Sequence, residues 1–222
     1  MTYTLKQIEE RVFALLDENQ EIQDERIYFA DPCVSVASLI DMLVEETARE
    51  VLATCDISLI DECEHYPPFS VTSALNRVPA IGGITEMMCT VKRNALTGKT
   101  RIQLPDDFLR LLHFRMSDWD DGVSTPLVYG GDECRLRMGA RIGRRSHRHR
   151  PAVAIDLRGE KKYLEIFGSA DGATVAELDF LTIPRLSGDT IRLPTGTFGA
   201  VCEAINQRLR NILKINYETY KE

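Results

Sequence analysis

The sequence predicts an α+β protein: a helical bundle built from both chain ends, with an antiparallel β domain inserted between them. Three observations predict it. Apolar residues recur at helical spacing near both ends of the sequence, the middle alternates with a period near two, and turn residues divide that middle into short strands. The two terminal stripes each need an apolar partner, and the economical arrangement packs them on one another. With 222 residues, 44% of them hydrophobic, the chain can bury a real core as one large or two small domains. The expected organisation is an N-terminal helical part over 1–80, an inserted β-rich domain over 81–190, and a C-terminal helix over 191–222 that returns to the bundle and ends in a polar tail.

Each element has its own signal. Thr4 followed by Gln7 fits a capping box, and Leu5, Ile8, Val12, Leu15 and Leu16 continue a helix over about 4–18. Asp31-Pro32 is a good helix start, with an Asx cap and proline at the first helical position. The stripe Val36, Leu39, Ile40, Leu43, Val44, Thr47, Val51, Leu52 extends that helix to about 33–55. A short third helix is expected over 70–77, capped by Ser70 and stopped near Pro79. From about 84 to 185 strands follow: "EMMCTVKRNALTGKTRIQLP" as strand, turn and strand, and "LRLLHFRMS" with Leu112, Phe114 and Met116 on one face. "AVAIDLRGEKKYLEIFG" reads as a hairpin turning at Gly159, with Val153, Ile155 and Leu157 before the turn, and "ATVAELDFLTIP" as the next strand. Phe198, Val201, Cys202, Ile205, Leu209, Ile212 and Leu213 then make a last helix over about 196–215.

Charge and cysteine usage narrow the function classes. The net charge is −7, yet residues 135–151, "RLRMGARIGRRSHRHRP", hold seven arginines, no lysine and no acid. Without those arginines the remainder stands at −14, so the chain is an acidic body with one basic segment rather than a general polyanion binder. The six cysteines form no CxxC pair and have no zinc-finger spacing, which points to reduced thiols made in a cytosol. The start lacks the pattern of a secretion signal, and no apolar run approaches the roughly 18 residues of a membrane span.

The search for chemistry is negative. There is no Walker A loop, Rossmann glycine fingerprint, GxSxG elbow or HExxH. His147-x-His149 lacks further ligands and sits among arginines that repel a cation. Asp106, Asp107, Asp118, Asp120 and Asp121 read as solvated turn or cap residues, and Cys63-x-His65 names no dyad. The expectation is no active site, no metal and no cofactor. Trp119 in "MSDWDD" is either a partly buried anchor of its own fold or an interface hot spot.

At "IQLPDDFLRLLHFRMSDW" the chain resembles the middle of head-to-tail connector proteins of short-tailed bacteriophages, the adaptor or ring proteins under the portal, and is most similar to the ring proteins of crAss-like phages. The order of features is similar over nearly the whole chain, including the "LP"-led last helix "RLPTGTFGAVCEAINQRLRNIL" and a polar tail carrying Tyr217 and Tyr220. The sharp part is residues 102–119, and it is not catalytic. The resemblance implies a structural virion protein at the head–tail interface, made in the host cytoplasm. About twelve copies would form a ring between the portal and the next tail or ring protein, with DNA passing through the lumen. The tail, with Tyr217 and Tyr220, would dock on the portal.

The arginines are not part of that pattern. They read as a β–β loop of about 15 residues between Leu127–Arg137 and Ala152–Leu157, a length that is usually functional or disordered. Arginine without lysine favours bidentate contacts to carboxylates or phosphates. Arg135, Arg137, Arg141, Arg144, Arg145, Arg148 and Arg150 therefore have three readings. They grip an acidic face of a neighbouring subunit, they contact DNA phosphates, or they form a solvated loop with no dedicated partner. A stand-alone nucleic-acid-binding protein is the rival function, although no aromatics interleave the basic run to stack bases.

Overall fold

The structure, a computed structural model, describes residues 1–18, 35–66, 69–70, 76–79, 86–89, 92–94, 99–138, 146–170 and 172–219. The chain opens with β1 (Thr2–Thr4), α1 (Leu5–Glu18) and α2 (Val36–Thr54). There follow β2 (Glu64–Tyr66), β3 (Phe69–Ser70), β4 (Asn76–Pro79), β5 (Glu86–Cys89), β6 (Lys92–Asn94), β7 (Lys99–Gln103), β8 (Phe108–Met116) and β9 (Leu127–Val128). Then come α3 (Asp132–Met138), β10 (Ala152–Arg158), β11 (Lys161–Phe167), β12 (Thr174–Thr182), β13 (Leu186–Ser187), β14 (Thr190–Arg192) and α4 (Phe198–Thr219).

This is a mixed α/β protein with several small sheets, and that corrects the expected class. The expected helical bundle from both chain ends with one inserted antiparallel domain fails at both levels. Strands join the terminal helices: β1 pairs with β14, which pairs with β13. The middle is not one sheet but a five-stranded, a four-stranded and a two-stranded one; it contains a helix, and its β9–β10 pair is parallel. The chain divides into two compact units, Met1–Glu62 with Ile183–Glu222, and Cys63–Thr182.

In the first unit α1 starts as its sequence demands. The Thr4 hydroxyl accepts from the Gln7 N–H at 3.2 Å while Gln7 Oε1 accepts from the Thr4 N–H at 2.9 Å. α2 is capped by Ser35, whose hydroxyl accepts from Ser38 N–H at 3.1 Å. The expected start at Asp31-Pro32 lies outside the described residues. Ile8, Val12, Leu15 and Leu16 of α1, Ile40, Val44, Ala48 and Leu52 of α2, and Val201, Cys202, Ile205 and Leu209 of α4 are buried, with α4 packed on both other helices.

In the second unit two sheets share one core. Ile102, Leu164, Ile166 and Val153 come from β7, β11 and β10, and Phe108, Leu111, Phe114, Met116, Val175, Leu178 and Phe180 from β8 and β12. A register irregularity at Asp179/Phe180 breaks strict alternation, so Leu111 is buried as well as Leu112. The expected helix over 70–77 is corrected: Phe69–Ser70 and Asn76–Pro79 are strands, paired with β12 and β5. So short a helix is marginal on propensity alone, and strand pairing overrides it.

Candidate interaction surface

The Arg-rich segment begins in a helix and ends in a tight turn, and residues 139–145 lie outside the described residues. Gly130, at φ +77°, and Gly131 turn the chain into α3, whose first turn carries Asp132 and Glu133 and whose last turn carries Arg135 and Arg137. That order suits the helix dipole. Arg137 reaches Glu133 at 3.3 Å and Arg135 reaches Asp132 at 3.9 Å. Cys134 is the helix's inward anchor, clustered with Ala152, Ala154 and Phe167 and with partly buried Leu127, Tyr129 and Met138. α3 therefore covers the second face of the β10 sheet. This corrects the expected strand over Leu127–Arg137, which is β9 followed by a helix. Arg135 is 73% exposed, whereas Arg137 is 14% exposed and its Nη1 has no hydrogen-bond partner among the described residues. Arg141, Arg144 and Arg145 lie outside the described residues.

Arg148 and Arg150 stand on a tight turn. His147 and Arg150 exchange backbone hydrogen bonds at 3.3 and 2.8 Å, and Ser146 N–H donates to the Arg137 carbonyl at 3.2 Å. Gly168, at φ +86°, lies against this turn: a Cβ there would stand 2.7 Å from the Ser146 carbonyl carbon. Both ring nitrogens of His149 are engaged. Nδ1 pairs with Asp120, and Nε2 accepts from Arg148 Nε at 2.8 Å. Among the described residues no group of three or more histidine, cysteine or acidic side chains is placed to hold a metal ion. Arg148 and Arg150 are exposed.

On the face away from α3 the sheet shows two exposed apolar residues at its edge. Leu157, which follows Val153 and Ile155 at strand spacing, is 68% exposed because β10 runs on past the core. Val128, 80% exposed, is in register with Ile155, so Val128 and Leu157 are diagonal neighbours on one face. Trp119 is 3% exposed and packs edge-on against Phe114 at 5.6 Å between centroids, as an anchor inside the unit's own core. Tyr217 falls on the last turns of α4, and Tyr220 lies outside the described residues.

A second cluster went unseen in the sequence because its members are far apart in it. Asp179 on β12 is flanked in register by His65 on β2 and His113 on β8, and Glu177 by Arg115. His65 Nδ1 contacts Asp179, His113 Nε2 lies 2.8 Å from Glu177, and Arg115 Nε donates to Glu177 at 2.9 Å. Gly122 makes room for the His113 ring, which a Cβ there would strike. Hydrogen bonding from Arg115, aided by its charge and that of His113, holds the Glu177 carboxyl below its ordinary range against the opposing effect of burial. The row is a charge ladder across three strands. Burial pushes the Cys202 thiol up to about 11, which keeps it protonated and unreactive at neutral pH.

No protein-family model matches this chain, and no curated protein matches it.

Proposed function

We propose that this chain is a structural virion protein: one subunit of a homo-oligomeric ring of about twelve copies that joins a phage portal to its tail, with DNA passing through the lumen. The observation that carries the reading is the pair Val128 and Leu157, 80% and 68% exposed at a sheet edge, on the face opposite the one α3 covers. An exposed apolar pair at a sheet edge fits a protein-contact surface. The resemblance over residues 102–119 adds support of a different kind. Ile102, Leu104, Phe108, Leu111, Phe114, Met116 and Trp119 of that stretch are buried. They would carry a shared fold, while contacts with neighbours, portal and next tail protein fall to other residues. An acidic body suits a channel through which DNA must slide, since many exposed cations would bind phosphate and retard it.

The test is the mass of the purified protein by light scattering after gel filtration, at low and high salt. A ring-sized assembly that weakens when Val128 and Leu157 are both changed to serine supports the reading; a monomer at every concentration and salt counts against it. A second reading is favoured by the exposure of Arg135, Arg148 and Arg150: a nucleic-acid-binding protein, which binds DNA as a monomer and releases it in moderate salt.

A further inference from the structure

The first unit carries a groove of about 390 Å³ between α1 and the start of α4, lined by Tyr3, Gln7, Glu10, Arg11, Ala14 and Phe198. Its floor is the stacked pair Tyr3–Phe198, with ring centroids 4.2 Å apart and planes 17° from parallel. Its rim carries the guanidinium of Arg11 and the carboxylate of Glu10, which lies 3.9 Å from the Lys6 ammonium. The volume lies at the small end of ligand-sized clefts, so the groove takes one or two side chains and not a helix.

The second unit carries a knob of matching chemistry. The β10–β11 hairpin turns through Gly159 and Glu160, with Arg158 opposite Lys161 and Gly159 at φ +63° with nothing within 4 Å of where a Cβ would stand. Just before the turn Leu157 projects at 68% exposure, and Arg158, Glu160 and Lys161 are exposed around it. We propose that the groove is filled by this hairpin tip from a second copy of the chain. Leu157 lies on the Tyr3–Phe198 floor and Glu160 meets Arg11. The occupant is argued from that complementarity: an exposed apolar residue over an aromatic floor, with the carboxylate at the tip facing the guanidinium at the rim.

Knob and groove are different surfaces of one chain, so the contact is heterologous. Each copy offers its tip to one neighbour and its groove to the other, and the series closes into a ring when the rotation per step closes. The inference rests on the ring reading above and names the contact that would build the ring.

The experiment uses the full chain with Ala14→Cys and Leu157→Cys in a Cys63→Ser background, because the Cys63 thiol is exposed. Each single variant is oxidised in parallel. The expected result is a covalent ladder beyond the dimer from the double variant and no ladder from either single one. In the same background without the new cysteines, Leu157→Asp should weaken self-association about 30-fold or more, the loss typical of a central hot spot. Dimers from Leu157→Cys alone would show a tip-to-tip contact and overturn the proposal. An assembly by light scattering that neither cross-links through the pair nor responds to Leu157→Asp would overturn the groove assignment and leave the ring reading standing. Absence of any assembly would overturn both.

Discussion

Gly168→Ala isolates the joint that holds the basic turn in place. Gly168 sits at φ +86°, where an L side chain is strained, at a cost of about 1–2 kcal/mol. Its added Cβ would also stand 2.7 Å from the Ser146 carbonyl carbon and 2.8 Å from both the Ser146 carbonyl oxygen and the His147 nitrogen. All three are backbone atoms, so relief requires the Ser146–Arg150 turn to move, an overpacking penalty of about 1–3 kcal/mol. The substitution should therefore cost about 2–5 kcal/mol. Gly159→Ala is the control: its φ is +63° and nothing lies within 4 Å, so only the conformational cost of about 1–2 kcal/mol applies. Both variants gain the same small benefit from a stiffer unfolded chain, so the difference between them reports the clash. The assay is urea unfolding followed by fluorescence. Trp119 is the chain's single tryptophan and lies in the second unit's core, so the signal reports that unit. Equal midpoints for the two variants would refute the claim that Gly168 is required by the approach of the turn.

Three further outcomes are expected. Thr4→Ala removes the cap of α1 and should destabilise the first unit by about 1 kcal/mol, read as loss of helical circular dichroism at lower urea. Arg101 donates to Glu165 at 2.6 Å and lies 3.8 Å from Asp156, two carboxylates only 3% and 5% exposed as residues. Arg101→Met should cost about 3–5 kcal/mol by stranding a buried charge, and adding Glu165→Met should restore most of it; a double variant no better than the single one would contradict this. Glu177 has a depressed carboxyl, so its contribution is present above the ordinary value of 4.5 and drains as pH falls through the lowered one. Stability curves of the wild type and Arg115→Met should differ at neutral pH and converge as pH falls below 4.5, and curves that stay parallel would contradict the assignment.

Local signals in the sequence were reliable where the physics is local. The Thr4–Gln7 box, the α2 stripe, the hairpin turn at Gly159 and the last helix all depend on residues within a turn or two of one another. The failures share the opposite cause. Residues 69–70 pair with β12, more than a hundred residues away, and 76–79 pair with β5 beyond the expected helix, which no local cap reveals. Leu127 to Met138 hides a switch from strand to helix because Cys134 and Met138 find their apolar partners on β10 and β11. The exposure of Leu157 was equally hidden from alternation, because β10 is covered on both faces near its start and on neither at its end. The row of His65, His113, Arg115, Glu177 and Asp179 is assembled by strand register alone, and no spacing in the sequence foretells it. Of the seven arginines only four fall on described residues, and of those Arg137 turns inward.

The most direct test of the account is native mass spectrometry of the full chain at high concentration, with the Leu157→Asp variant beside it. A ring built through the hairpin tip gives one closed species of about twelve 25.1 kDa subunits, replaced by monomer in the variant. A monomer in both samples would contradict the ring, and a closed species that Leu157→Asp leaves intact would contradict the hairpin contact alone.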